Sequence, residues 1–272
     1  MRKLTQVTVG ILALASSLSL GDEMSVSKDA SVEKALSLRT PVSLTVGNMA
    51  GVNKIYQSKH RIEITARTES DESIPVAFEM KEDSLEIFVR YPKRGDNIPV
   101  RLHDGKKGLF FGYDAGLDSG ETLPVDLSIG IPRGMLKDLT VSSLSGDIDV
   151  DFPGVDELGE KRKVEIHSMM AKIAIRKIQA GGEFKVRSVS DITIEETLGD
   201  LEVSGMEGDV VLRKGRGNIK VETGSGSISL DSHTAFSIDC ESENGDIRLT
   251  NNTVSKENIK SENGRVIHLR GN

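Results

Sequence analysis

From residue 139 to the C-terminus, apolar residues fall at every second position in short runs, and the runs recur at a near-constant interval. The segments read LTVSSLSGDIDV, VEIHSMMAKIAI, FKVRSVSDITI, LEVSGMEGDVVL, IKVETGSGSISL, IDCESENGDIRL and ENIKSENGRVIH. Anchored on the residue that closes each turn, they fall at Asp147, Lys172, Asp191, Asp209, Ser227, Asp246 and Arg265, with spacings of 25, 19, 18, 18, 19 and 19. A period of two predicts strands rather than helix, two per segment and joined by a tight turn. Gly146, Gly208, Gly226, Gly245 and Gly264 stand in those turns, where glycine is expected to supply positive φ.

Two inward columns follow from this alignment. One runs Val141, Ile166, Val186, Val203, Val221, Cys240, Ile259, and the other Ile148, Ile173, Ile192, Val210, Ile228, Ile247, Val266. A single pair of four-residue strands cannot bury its apolar face, whereas stacking rungs about 4.8 Å apart closes a continuous core. The predicted fold is therefore an all-β β-solenoid of about seven C-terminal rungs. In the last rung Glu257 and His268 stand in columns that are otherwise apolar. They predict a register slip there that places Arg265, His268 and Arg270 around a terminal strand and discourages end-to-end pairing. The wider connections carry Lys161, Arg162 and Lys163, then Arg176 and Lys177, Glu195 and Glu196, Arg213, Lys214 and Arg216, then Asp231. If these stack in register, the acidic pair lies between two basic clusters, as a solvated face with weak ion pairs.

Residues 42–132 show alternation in VSLTV, RIEITA, SLEIFVR and LPVDLSIGIP without close repetition. They read as irregular early coils or a small sheet capping the rod, since the first rung would otherwise present a bare core. A Gly-rich insertion at 93–122 holds Phe110, Phe111 and Tyr113 beside Lys106 and Lys107. These three aromatics are the candidate partner-binding residues, either docking on a protein or lipid surface or folding back to plug the rod. Residues 22–41 read as an N-terminal linker, and 133–272 as the regular solenoid.

Met1 to Gly21 has the layout of a signal peptide: Arg2 and Lys3, an apolar stretch from Val7 to Leu20, and small residues offering cleavage after Ala15 or Gly21. Its removal leaves 33 basic against 42 acidic residues, a charge of −9 in place of the −7 of the whole chain. That sign offers nucleic acid no attraction, and zero Trp with three Tyr weakens stacking on bases or sugars. The chain is expected to be exported to the periplasm, cell surface or extracellular space, with peripheral membrane contact as one option.

One cysteine precludes an intrachain disulfide, and the five histidines include no metal-binding spacing. Asp147, Asp191, Asp209 and Asp246 would form an interrupted column in which only Asp191 and Asp209 are consecutive, which suits turn stabilisation better than a calcium row or an acid pair. Cys240 reads as a small buried hydrophobe, and His167 and His233 fall on different rungs. No catalytic, metal or cofactor residue is assigned. Arg94-Gly95-Asp96 is a short motif of the kind that arises by chance.

The stretch LPVDLSIGIPRG, followed by LKDLTVSSLSGDIDVD and repeated SGD-I turns, resembles a family of bacterial exported proteins of unknown function described as "putative adhesins". The likeness covers about residues 42–272. VGNMAGVNKIYQ and RIEITA resemble that family's opening strands, with Ala50-Gly51-Val52 where a more regular turn is usual. The resemblance implies a β-solenoid, an envelope location and no catalytic residues. The expected function is a non-enzymatic adhesion, scaffold or envelope-interaction module. The alternatives are a polysaccharide-active solenoid enzyme and a self-assembling structural element.

Overall fold

The computed structural model describes residues 11–12, 22–27, 32–36, 40–70, 73–81, 83–89, 124–151 and 163–269. Every regular element among them is a β-strand, arranged in one sheet of 12 strands and a second of 11. From Leu136 onward each rung lays a longer strand in one sheet, makes a tight turn, and returns as a four-residue strand in the other. A wide turn then leads to the next rung. Consecutive rungs pair parallel and in register: Val141 beside Ile166, Val203 beside Val221, Val221 beside Cys240, and along the other sheet Ile148, Ile173, Ile192, Val210, Ile228, Ile247 and Val266. The predicted columns are thus the real ones. They bury almost completely from Val141 to Ile247, because each β-branched side chain packs between its copies above and below.

The first half continues the same two sheets. The coil formed by Val42–Asn48 and Asn53–Ser58 lies directly beside that of Leu136–Ser143 and Ile148–Asp151, so Leu44 pairs with Leu139 across 95 positions. Between these two visits the chain runs outward as Ile62–Thr68 and Ile74–Lys81, then returns as Ser84–Val89 and Val125–Pro132. The returning strands slot in beside the first coil, parallel to it on one side and antiparallel to the outgoing strands on the other. Val89 therefore ends, and Val125 begins, a strand at the edge where other rungs have their tight turn. Antiparallel pairings interrupt the parallel ladder at this end, one of them the local hairpin of Ile74–Lys81 and Ser84–Val89.

Three expectations are corrected. The segment read as a linker supplies strands: Asp22–Val26 runs antiparallel to Ile74–Phe78, and Val32–Leu36 antiparallel to Ile62–Ala66. Val26 and Leu36 are buried against the core, which gives these polar strands their anchor. Ile11–Leu12, inside the segment read as a signal peptide, lies parallel to Lys34 and Ala35. The last rung does not slip. Glu257 sits beside Ile238 and His268 beside Leu249 in unbroken register, so polar residues occupy core columns at the rod's end, and Arg270 lies outside the described residues. The turn glycines differ from expectation as well, since Gly146, Gly208, Gly226, Gly245 and Gly264 lack positive φ.

Candidate interaction surface

The tight-turn edge is built from a hydroxyl, a glycine and an aspartate in successive positions. Ser143, Ser168, Ser242 and Ser261 each accept a hydrogen bond from the backbone N–H three residues on, at 3.0, 3.0, 2.8 and 2.9 Å. Ser188, Ser242 and Ser261 also donate to a carbonyl of the preceding rung at 3.0, 3.1 and 2.8 Å. Each such hydroxyl closes its own turn and ties it to the one before. The turn glycines do not have positive φ, contrary to expectation. A Cβ on Gly146 would collide with the carbonyl of Gly51, on Gly226 with that of Gly208, and on Gly245 with that of Gly226. Close approach between stacked backbones, rather than handedness, requires glycine here.

The aspartates act across rungs as well. Asp147 accepts from the backbone N–H of Lys172 at 3.0 Å, Asp191 from Asp209 at 3.1 Å, Asp209 from Ser227 at 2.8 Å and Asp246 from Arg265 at 2.9 Å. The turn-stabilising role predicted for this column is observed, with the donor in the following turn instead of the aspartate's own. The Arg265 guanidinium and N–H hold the Asp246 carboxyl below the usual carboxylate range. Among the described residues no three His, Cys, Asp or Glu gather as a metal site would require.

The wide-turn edge carries the positive φ values, at Lys177, Glu196, Lys214, Ser232 and Asn251. Each of these residues donates its N–H to a carbonyl of the following rung, so a left-handed residue recurs in five successive rungs. The charged connections stack in register as foreseen. Arg176 meets Asp149 at 2.8 Å, Arg213 meets Glu195 at 2.9 Å and Lys214 meets Glu196 at 3.7 Å. Just inside this edge lies His233, 2 % exposed, its ring filling the hollow that the missing side chain of Gly215 leaves. Its backbone N–H donates to Asn252 at 2.8 Å, while neither ring nitrogen makes a well-formed hydrogen bond. Burial pushes its pKa below the ordinary histidine value, opposed by the Leu212 backbone and the Asp231 charge.

The sequence reasoning missed an apolar ridge on the tight-turn edge. Strand register places Met49, Leu144, Met169, Val189, Met206, Gly224, Glu243 and Glu262 in one column at the first turn position. Met169, Met170 and Met206 are exposed there, at 39, 62 and 59 %. The edge thus changes from apolar to acidic along the rod. The signal was present as apolar residues in a turn, where polar ones are usual. At this same edge Val125 donates to the carbonyl of Ala50 at 3.0 Å, and Leu127 to that of Val52 at 2.8 Å. Phe110, Phe111 and Tyr113 lie outside the described residues, as does Arg94-Gly95-Asp96. Cys240 is wholly buried, and desolvation pushes its thiol up to about 12, so it is the inert core residue the sequence suggested.

The profile of a known family matches residues 52–268, which take in these stacked turns. The chain belongs to the Toastrack DUF4097 family. Comparison with curated proteins gave no match. Solved structures similar to this Toastrack chain include a putative lipid binding protein from Parabacteroides distasonis, with 12 % identity, TM-score 0.43, and 90 and 98 % of the two chains covered. A putative adhesin from Bacteroides fragilis has 13 % identity and TM-score 0.41, covering 90 and 99 %. A putative cell adhesion protein from Clostridium sporogenes has 12 % identity and TM-score 0.35, covering 89 and 99 %.

Proposed function

We propose that this Toastrack protein is an exported, non-enzymatic interaction module of the cell envelope that engages a protein or surface partner along its tight-turn edge. The observation that carries the reading is the exposed Met169, Met170 and Met206 ridge on the tight-turn edge. Methionine side chains adapt to varied apolar partners, and a rigid solenoid edge presents them in a fixed row. The aspartates that an enzyme would need accept backbone N–H groups instead, which supports a structural role for them. The aromatic residues Phe110, Phe111 and Tyr113 are proposed as further partner contacts, and residues 1–21 as the export signal.

The test is sedimentation of the purified protein with intact envelope fractions. Wild type should bind saturably. Met170→Gln/Met206→Gln and Phe110→Ser/Phe111→Ser/Tyr113→Ser should each lower binding while circular dichroism stays unchanged. A well-folded wild type that fails to sediment with the fractions would overturn the reading.

A further inference from the structure

The two ends of the rod differ. At the N-terminal end antiparallel strands interrupt the ladders, with Ile11–Leu12 lying parallel to Lys34 and Ala35 outermost in one sheet, whereas at the C-terminal end the last described strands of both sheets are parallel to their neighbours, Thr253–Ser261 in one and Val266–Leu269 in the other. Among the described residues nothing covers the inner columns at this end. Val266 is 41 % exposed, whereas its column-mate Ile247 is fully buried, and Ile259 is only partly buried beside a wholly buried Cys240. Unpaired edges with apolar residues between them are a template for further pairing.

What the end would accept is narrowed by its own residues. Across the gap between the sheets Glu257 faces His268, with 3.9 Å between Oε2 and Nδ1. One step nearer the tight turn, Ile259 and Val266 are the corresponding inward pair. The strands of one rung run in opposite directions, because the chain reverses at the tight turn. A two-fold rotation about an axis parallel to the strands therefore sets each edge antiparallel to the other edge of a second copy. In that register Glu257 lies opposite the partner's His268, and Ile259 lies opposite the partner's Val266. The carboxylate–imidazole match and the apolar match each occur twice, once in each sheet, while Lys260 and the partner's Arg265, which also come opposite, are each held by acids of their own chain, Glu241 and Glu262 for Lys260 and Asp246 for Arg265.

We infer that the C-terminal end is a self-complementary docking face through which two copies of this chain join head to head, extending both sheets across a closed two-fold interface. Such an isologous contact closes at two copies, whereas a head-to-tail contact would continue into a filament. Glu257 and His268 act as the selector, since an apolar pair in their place would accept any hydrophobic edge. The sequence reading took His268, with Arg265 and Arg270, as charges that discourage end-to-end pairing. In register, Glu257 and His268 permit one partner.

The experiment is light-scattering mass measurement of the purified full chain over a concentration series, with circular dichroism to confirm folding. Wild type should move from monomer to dimer and stop there. Glu257→Lys and His268→Glu each set like or unmatched charges opposite one another. Either change should weaken the dimer by about a hundredfold in dissociation constant. The double variant Glu257→Lys/His268→Glu restores the match with signs exchanged and should recover the dimer. A wild type that stays monomeric, a mass that keeps growing with concentration, or a dimer indifferent to folded Glu257→Lys would each overturn the inference. Envelope binding is scored separately, so loss of one property leaves the other readable.

Discussion

The two edges of the solenoid perform the same task, reversing the chain once per rung, with opposite use of glycine. At the tight edge Gly146, Gly226 and Gly245 have ordinary φ and are needed because the next backbone passes where a side chain would begin. At the wide edge Lys177, Glu196, Lys214, Ser232 and Asn251 hold the left-handed conformation that glycine would adopt without cost, and the positive-φ glycines of that edge, Gly199 and Gly217, stand a few residues further on. Crowding between rungs governs the first edge and torsional preference the second. Glycine content by itself therefore does not reveal where a solenoid's backbone is strained.

Substitutions should separate these causes. The largest effect is predicted for Gly245→Ala, whose Cβ would meet the Gly226 carbonyl and force the rungs apart, with a loss of about 3 kcal/mol in urea unfolding. Gly205→Ala, where the nearest atoms are side-chain atoms of Thr223 and Val210 at 3.2 and 3.3 Å, should cost much less. If both lose equally, crowding by backbone is not the cause. Ser242→Ala removes the acceptor for the Gly245 N–H and the donor to the Gly226 carbonyl, both buried, and should lower stability by about 2 kcal/mol in the same assay.

At the wide edge the sharpest test is pH. His233 has a folded pKa held below its ordinary value by burial, so the folded state binds its proton less readily than the unfolded state. Its contribution is full above the unfolded value of 6.5 and is lost as pH falls from there toward the lowered folded value. Thermal melts between pH 7 and 5 should show this decline, bounded at about 1.4 kcal/mol per pH unit, and His233→Gln should flatten it. Lys214→Gly should have the opposite sign from every tight-edge change, raising stability by about 1 kcal/mol through relief of positive φ. A melt at or below wild type would show that stacking offsets the torsional cost. The smallest change is expected for Arg213→Gln, which breaks an exposed 2.9 Å pair with Glu195 and should shift the unfolding midpoint by at most about 0.5 kcal/mol, less at high salt.

Legibility in the sequence follows the range of the interactions. The columns Val141 to Ile259 and Ile148 to Val266 were readable because each rung repeats its neighbour's environment, so one alternation pattern recurs seven times. The Asp, Cys240 and wide-turn charges followed from the same register. The Met169 to Met206 ridge was visible only as an oddity within turns, since its continuity depends on stacking. Val26 and Leu36 were missed because two apolar anchors in polar segments carry too little periodicity to announce strands.

By itself the sequence determined the strand period, the repeat, the inner columns and the order of turn chemistries, because these depend on residues close in the chain or one repeat apart. Only the tertiary structure decided that Leu44 pairs with Leu139, that the Ser84–Val89 and Val125–Pro132 strands intervene between earlier ones, and that Glu257 and His268 meet in register at an open end. Those outcomes join segments far apart in the chain. Their partners are selected by which faces and edges remain unburied once the repeats have stacked, a competition that no local pattern records.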